Sequence, residues 1–361
     1  GESLEHQARV SESVLARLFF VVKRPDDDPL TGEVDRAALQ DRIEAAVRSW
    51  DDEFDDAARD LASESRGVEF SEAYEEEYPA SVGVSDLRLA NGLTGDDDLA
   101  YDVYRPLWPT DTADVRFKVF SLRQMSLADA MPHLSVLGVE VVDERPYEWV
   151  LRGTPLYLYD FGLKLTGDMD AAEDWGPELQ ERFIEAFDAT YRGLAEPGKF
   201  NRLVMTGGLT WEEIAWLRAI SRYLVQAGSP YSQPYVASAL NDNPEIAAAL
   251  VTAFRTKFDP AQDFVDLAAR AAAVDAVFDG IEHQLADVAS LDADRILRQF
   301  VSVLRAMIRT NAFQPGAPAQ RVAQHAHVQM LGAVRMGIGI WAASRSRVSR
   351  AVSSRSSACK R

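Results

Sequence analysis

Between Val115 and Leu165 the hydrophobic spacing switches from strand-like to helix-like and back, and few small folds accommodate that succession. Val115, Phe117 and Val119 alternate with Arg116 and Lys118, the mark of a half-buried strand. Ser126 opens an apolar segment with Asp129 three residues on, as in a capping box, and Gly138 closes it in a position suited to a left-handed turn. Pro132 lies inside that segment and is expected to kink it. Val139 and Val141, then Tyr147, Trp149 and Leu151, predict a second strand and the rise of a third, and Leu156 to Leu165 supplies further β-prone sequence after Gly153 and Pro155. A β-α-β-β order with short connections specifies an antiparallel sheet with a helix on one face, so the fold class is α+β.

That stretch is a small part of 361 residues, a length that holds two or three compact units at roughly 100–200 residues each. With 47% hydrophobic and 26% charged residues the composition is that of a globular protein. The net charge of −19 is divided unevenly. From Pro315 onward there is no Asp or Glu and there are eight Lys or Arg, so the preceding body carries −27. A body so acidic repels phosphate backbones, which argues against nucleic-acid binding. Cys359 is the one cysteine, which excludes a disulfide framework and fits a reducing, cytoplasmic setting. The chain starts at Gly1 without a charged-then-apolar leader, and is expected to begin inside a longer protein.

Residues 1–34 contain one buried strand, in the run Val14, Leu18, Phe19, Phe20, Val21 and Val22, expected to have lost its partners or to pair with a later sheet. Residues 35–93 read as a helical hairpin. Asp35 caps a long helix through Leu39, Ile43, Val47, Trp50, Phe54, Ala58 and Leu61, and a second piece from Phe70 to Tyr78 stops at Pro79. The sheet-bearing unit occupies 97–166. A mainly α-helical domain follows over 170–314, with a capping box at Thr210 and Glu213, helix starts at Asn243-Pro244 and Asp259-Pro260, and an amphipathic helix from Leu291 to Ile308. Residues 315–361, rich in Ala, Arg, Ser and Gly, read either as an out-of-frame peptide or as a disordered basic tail. Gln329 to Ala343 is too short and too interrupted for a membrane span.

Chemistry is sparse in this pattern. Neither a G-x-G-x-x-G after a strand nor a G-x-x-x-x-G-K-[ST] loop occurs. Gly207 and Gly208 before the Thr210 cap suit an anion at a helix start, and suit an ordinary interhelical turn better. His325 and His327 lack nearby carboxylate or cysteine partners for a metal, and His133 reads as a packing or surface residue. Asp143, Glu144 and Arg145, between two strands, are compatible with a ligand-facing loop in which Arg145 holds a carboxylate, and fit better a solvated turn whose Arg pairs with an adjacent acid. The acidic runs at Asp51 to Asp56 and Glu75 to Glu77 read as solvated faces. No catalytic, cofactor-binding or metal-ligating residue is assigned.

Longer motifs point to a family. The run Leu137 to Glu148 (LGVEVVDERPYE), with Tyr159 to Leu163 (YDFGL), resembles the large bacterial NAD-specific glutamate dehydrogenases. The likeness continues through Phe200 to Val204, Gly208 to Trp211, Asn243 to Ala247, Phe258 to Pro260, Asp294 to Arg298 and Arg309 to Asn311, and covers nearly everything from Ser11 to Gln314. It implies the end of one ACT-like unit at 1–34, the helical hairpin, a complete ACT-like βαββ unit at 97–166, and a helical domain leading to a catalytic domain that this chain lacks. It further implies L-glutamate as substrate and NAD as cofactor for the full-length enzyme, with no cofactor bound by this segment. A homo-oligomer formed through ACT-like and helical modules, and an amino-acid effector, are the implied partners. The segment is then regulatory or scaffolding and inactive alone; the alternative is a stand-alone amino-acid-sensing or oligomerisation module.

Overall fold

A computed structural model describes residues 2–9, 17–23, 37, 40, 42, 48–61, 67–106, 113–166, 175–313 and 329–330. The chain divides into two compact units, Gly1–Leu61 with Pro79–Val84, and Ala62–Tyr78 with Ser85–Arg361.

In the first unit, β1 (Glu2–Arg9) pairs antiparallel with β2 (Arg17–Lys23). The strand expected to lack partners therefore finds one immediately upstream. Asp35 and most of the long helix expected after it lie outside the described residues. What is described shows a fresh start at α1 (Trp50–Ala57), because Ser49 adopts an extended conformation and forms a reciprocal capping box with Asp52. A Ser-x-x-Asp pairing satisfies orphan N–H groups, so a new helix begins where periodicity alone predicts continuation. Trp50 stacks on Phe54 at 5.3 Å, and Gly83 lets the Trp50 ring approach closely, since a Cβ there would lie 2.9 Å from it.

The second unit is built on a five-stranded antiparallel sheet of order β3-β6-β7-β5-β4. Its strands are β3 (Val68–Glu69), β4 (Leu99–Tyr104), β5 (Val115–Ser121), β6 (Val139–Leu151) and β7 (Thr154–Leu165). Between β5 and β6 lies α4 (Leu127–Leu134), capped by Ser126 as expected, with Pro132 inside it, and Gly138 takes a positive φ after it. Arg152 and Gly153 both adopt positive φ in the tight turn from β6 to β7, the twist a two-residue hairpin requires. The stretch read as a hairpin over 35–93 carries α1 in the first unit. In the second unit it carries α2 (Glu72–Glu77) and residues 85–90 of α3 (Ala80–Ala90).

Seven helices follow: α5 (Pro177–Tyr191), α6 (Leu203–Gly207), α7 (Trp211–Gln226), α8 (Gln233–Asn241), α9 (Pro244–Phe258), α10 (Leu267–Leu285) and α11 (Leu291–Ala306). Thr210 and Glu213 form the expected capping box. Gly208, at φ +60°, ends α6 as a left-handed cap, which makes Gly207-Gly208 an interhelical turn. Asp259-Pro260 does not start a helix. Asp259 is the C-cap of α9, and α10 begins only after Asp266, whose side chain accepts from the Ala269 N–H. Asn243 precedes Pro244 as expected, but its amide donates to the Ala239 carbonyl instead of capping α9. The apolar face of α11 is buried through Ile296, Leu297, Phe300 and Leu304. Leu291 at its start stays exposed, as does Ile308 in the strand that follows.

Sheet and helices share one core. Val115, Phe117, Val119, Phe161 and Leu163 belong to the same buried cluster as Phe183, Phe187, Leu217, Leu250, Phe278 and Phe300. Phe117 meets Phe183 edge-on at 5.4 Å and Phe187 at 5.0 Å, and the Tyr101 hydroxyl donates to Asp188 at 2.6 Å, joining β4 to α5. Most of the basic tail lies outside the described residues, His325 and His327 included. Its Gln329–Met330 forms β9 on β8 (Met307–Arg309).

Candidate functional site

β5 was expected to show one face to solvent, and the structure corrects this. Arg116 is 1% and Lys118 0% exposed. Antiparallel register places Tyr104, Arg116, Gly162 and Asp143 in one row across the sheet, and Asp102, Lys118, Asp160 and Arg145 in the next. Phe120, Leu158 and Tyr147 continue the same face, and then Leu156 and Trp149. This second face is polar at one end and aromatic at the other.

A β-bulge between Val141 and Asp143 creates the polar end. Val139 and Val141 lie on the core face. One extra residue, Val142, flips the phase, so Asp143, Arg145, Tyr147 and Trp149 all stand on the second face. Asp143, Glu144 and Arg145 are therefore interior positions of β6, where a connecting loop between two strands was expected. Gly162 leaves the space through which Asp143 reaches Arg116 across β7, since a Cβ at Gly162 would lie 2.8 Å from Asp143 Oδ1.

The charges are held by named partners. Arg116 donates from Nη2 to Asp143 Oδ1 at 2.7 Å and from Nε to Asp160 Oδ1 at 3.0 Å. Asp160 Oδ2 also accepts from the hydroxyls of Tyr104, at 2.5 Å, and Tyr78. Lys118 Nζ donates to Asp86 Oδ2 at 2.5 Å, and the Tyr74 hydroxyl to the same oxygen at 2.6 Å. Lys118 also sits 4.1 Å from the Tyr78 ring centre and 4.9 Å from that of Tyr104, within cation–π range. At the rim Arg145 donates from Nη1 to Glu77 Oε1 at 2.5 Å.

These surroundings fix the ionisation. Burial pushes the phenols of Tyr74, Tyr78 and Tyr104 well above their ordinary value, with the Asp86 and Asp160 carboxylates adding to it. They stay protonated, and each donates its proton to a carboxylate. Burial also raises Asp86, with Lys118 pulling the other way, and raises Asp102 and Glu144. Burial works against the Arg116 charge, and hydrogen bonding to Asp143 with the field of Asp160 more than offsets it, so Arg116 is held protonated. The cluster thus acts as a fixed set of paired charges, apt for fastening two layers in one register, rather than as an acid–base pair.

His133 packs beside Tyr191 at 5.6 Å, and burial lowers its pKa. Among the described residues, no group of three or more His, Cys, Asp or Glu is placed to hold a metal ion, and no helix is long and apolar enough to cross a membrane. Sequence reasoning missed Tyr74, Tyr78, Asp86, Tyr104, Arg116, Lys118 and Asp160. The signal available was a strand with two charged residues, Arg116 and Lys118, opposite a strand with none but Asp160 and Lys164.

Comparison with known proteins follows the same order along the chain. The glutamate dehydrogenase ACT2 domain matches residues 1–51, the ACT3 domain 98–174, helical motif 3 residues 195–260, and the catalytic domain of bacterial NAD-glutamate dehydrogenase residues 280–338. The catalytic-domain match thus begins within α10 and runs past Gln314, where the sequence resemblance was read as ending. The NAD-specific glutamate dehydrogenase of Mycobacterium tuberculosis is 34% identical over 341 residues, covering 87% of this chain and 20% of that protein. Those of Halomonas elongata and Pseudomonas aeruginosa are 32% and 31% identical, each covering 19% of the relative and 84% and 86% of this chain. The chain spans about a fifth of the length of the curated relatives it matches. It belongs, as a segment, to the bacterial NAD-specific glutamate dehydrogenase family, and carries stretches that match its ACT2, ACT3, helical-motif and catalytic domains.

Proposed function

We propose that this chain is the regulatory and scaffolding region of an enzyme that oxidises L-glutamate to 2-oxoglutarate and ammonia with NAD, and that hydride transfer takes place in the portion of the catalytic domain beyond it. The observation that carries this reading is the shared core. Phe117 and Phe161 of the sheet, Phe183 and Leu217 of the middle helices, and Phe278 and Phe300 of α10 and α11 pack in one cluster. The end of α10 and the whole of α11, Phe300 included, fall within the catalytic-domain match, so the ACT-like sheet bears on that stretch through close-packed side chains. Close packing transmits displacement with little loss. A homo-oligomer formed through the ACT-like and helical modules, and an amino-acid effector that acts on the sheet, complete the proposal. NAD belongs to the full-length enzyme, and this segment binds none.

The test is NADH formation from L-glutamate and NAD by this chain, beside the same chain extended through the remaining length of its relatives. Turnover in the extended protein alone supports the proposal. Turnover by the 361 residues would place a nucleotide site inside the segment and overturn it.

A further inference from the structure

The two faces of the sheet are held by different forces. The core face packs mainly through apolar side chains such as Val115, Phe117, Phe161 and Leu163, whereas the second face is covered by residues 70–78 and 85–90, attached largely through ions and phenols. Lys118 to Asp86, Tyr78 to Asp160 and Arg145 to Glu77 each join the sheet to this cover. The apolar part of the attachment is compact: Phe70 and Tyr74 meet Trp149 at 4.5 and 4.7 Å, and Leu87 is fully buried.

We propose that residues 70–78 and 85–90 form a latch that opens from the sheet as a unit while the sheet stays docked on the helical domain. Lifting an apolar face from its partner exposes it to water with nothing in return. Lifting a face of buried ion pairs returns each ion to its hydration, and that recovery offsets much of the lost attraction. The Arg145–Glu77 pair is already about one-third exposed on both sides, so water reaches the rim of the interface and opening starts there. Once open, the latch bares a surface new to solvent, the Trp149 and Phe120 rings beside the Lys118 ammonium and the Arg116 guanidinium. Such a surface suits a partner that combines an aromatic or apolar contact with a carboxylate. The inference stands on the geometry of this sheet and does not require the scaffold reading.

Native-state hydrogen exchange on the whole chain, at rising sub-denaturing urea, tests it. The amides of 74–78 and 85–91 are expected to exchange through an opening at least about tenfold more frequent than that of the α9 and α11 amides, with a weaker urea dependence because less surface is exposed. Lys118→Met strands Asp86 and should raise latch opening on the order of a hundredfold, leaving the α11 amides unchanged. Replacing the whole pair with its phenol, as Asp86→Leu/Lys118→Met/Tyr74→Phe, removes the ions to be rehydrated and should bring opening to the wild-type level or below. Exchange of the latch amides only together with those of α9 and α11, in the wild-type chain, overturns the proposal. So does a triple variant that opens as readily as Lys118→Met.

Discussion

Gly162→Ala is the sharpest probe of the polar rows, because the backbone there is ordinary strand and the substitution changes nothing but one methyl. In the wild-type chain the Asp143 carboxylate lies over Gly162 on its way to Arg116, and the new Cβ would meet Asp143 Oδ1 at 2.8 Å and its Cγ at 2.9 Å. Asp143 must move, and the 2.7 Å bond to Arg116 Nη2 is lost or lengthened. Two effects combine: overpacking of a close-packed site, about 1–3 kcal/mol, and weakening of a charge-assisted bond to a buried guanidinium, about 1.5–3 kcal/mol. Asp160 still neutralises Arg116, and alanine is favoured over glycine in a strand by about 0.5–1 kcal/mol, so the net cost expected is about 2–3 kcal/mol. The assay is a double-mutant cycle by urea unfolding of the full chain, with Gly162→Ala measured alone and in an Asp143→Ala background. With the carboxylate gone the methyl has room, and its cost should fall to near zero or turn slightly favourable, a coupling of about 2–3 kcal/mol. Equal costs in the two backgrounds would refute the idea that Gly162 exists to pass Asp143 across β7.

Three further outcomes are expected. Phe117→Ala, in a fully buried ring site between Phe183 and Phe187, should cost about 3–5 kcal/mol, seen with equal size by a probe at Trp149 in the sheet and one at Trp216 in the helical domain. Thr210→Ala removes the side-chain acceptor for the Glu213 N–H and should cost about 1 kcal/mol in urea unfolding, whereas Thr210→Ser should cost little. His133 has its pKa lowered by burial, with Asp129 opposing, so the folded state binds its proton less readily than the unfolded chain. Its contribution is present above the unfolded value of 6.5 and lost as pH falls below it; His133→Phe should flatten the stability–pH curve in that window, and an unchanged slope would show that the ring titrates alike in both states.

How far the sequence announced this fold depends on which residues carry the information locally. Caps did so at Ser126, Thr210 and Gly138, because a short side chain or a positive φ satisfies neighbouring backbone groups whatever the distant packing. The break at Ser49 and the late start at Asp266 were misplaced for a related reason: apolar spacing continued through one and proline suggested the other, while the side-chain cap decided both. The antiparallel sheet was legible from alternation, but its second face was not. Arg116 and Lys118 look like solvent-facing residues until the register sets Asp160 opposite Lys118, with Tyr104 and Asp102 on the next strand. Nor does spacing reveal the bulge at Val142, a single residue that carries Asp143 and Arg145 from an apparent loop into the interior of β6. Asp86 and Tyr78 lie far from β5 in sequence, and only tertiary folding brings them together.

The central claim is that the ACT-like sheet and the helices leading to the catalytic domain are one cooperative body. Hydrogen exchange of the β5 and β7 amides against those of α9 and α11, followed as urea is raised toward unfolding, tests it most directly. The account predicts that the slowest amides of both groups converge on a single opening with one free energy and one urea dependence. If the β5 and β7 amides exchange through a separate, cheaper opening while α9 and α11 stay protected, the shared core does not couple them and the account is wrong.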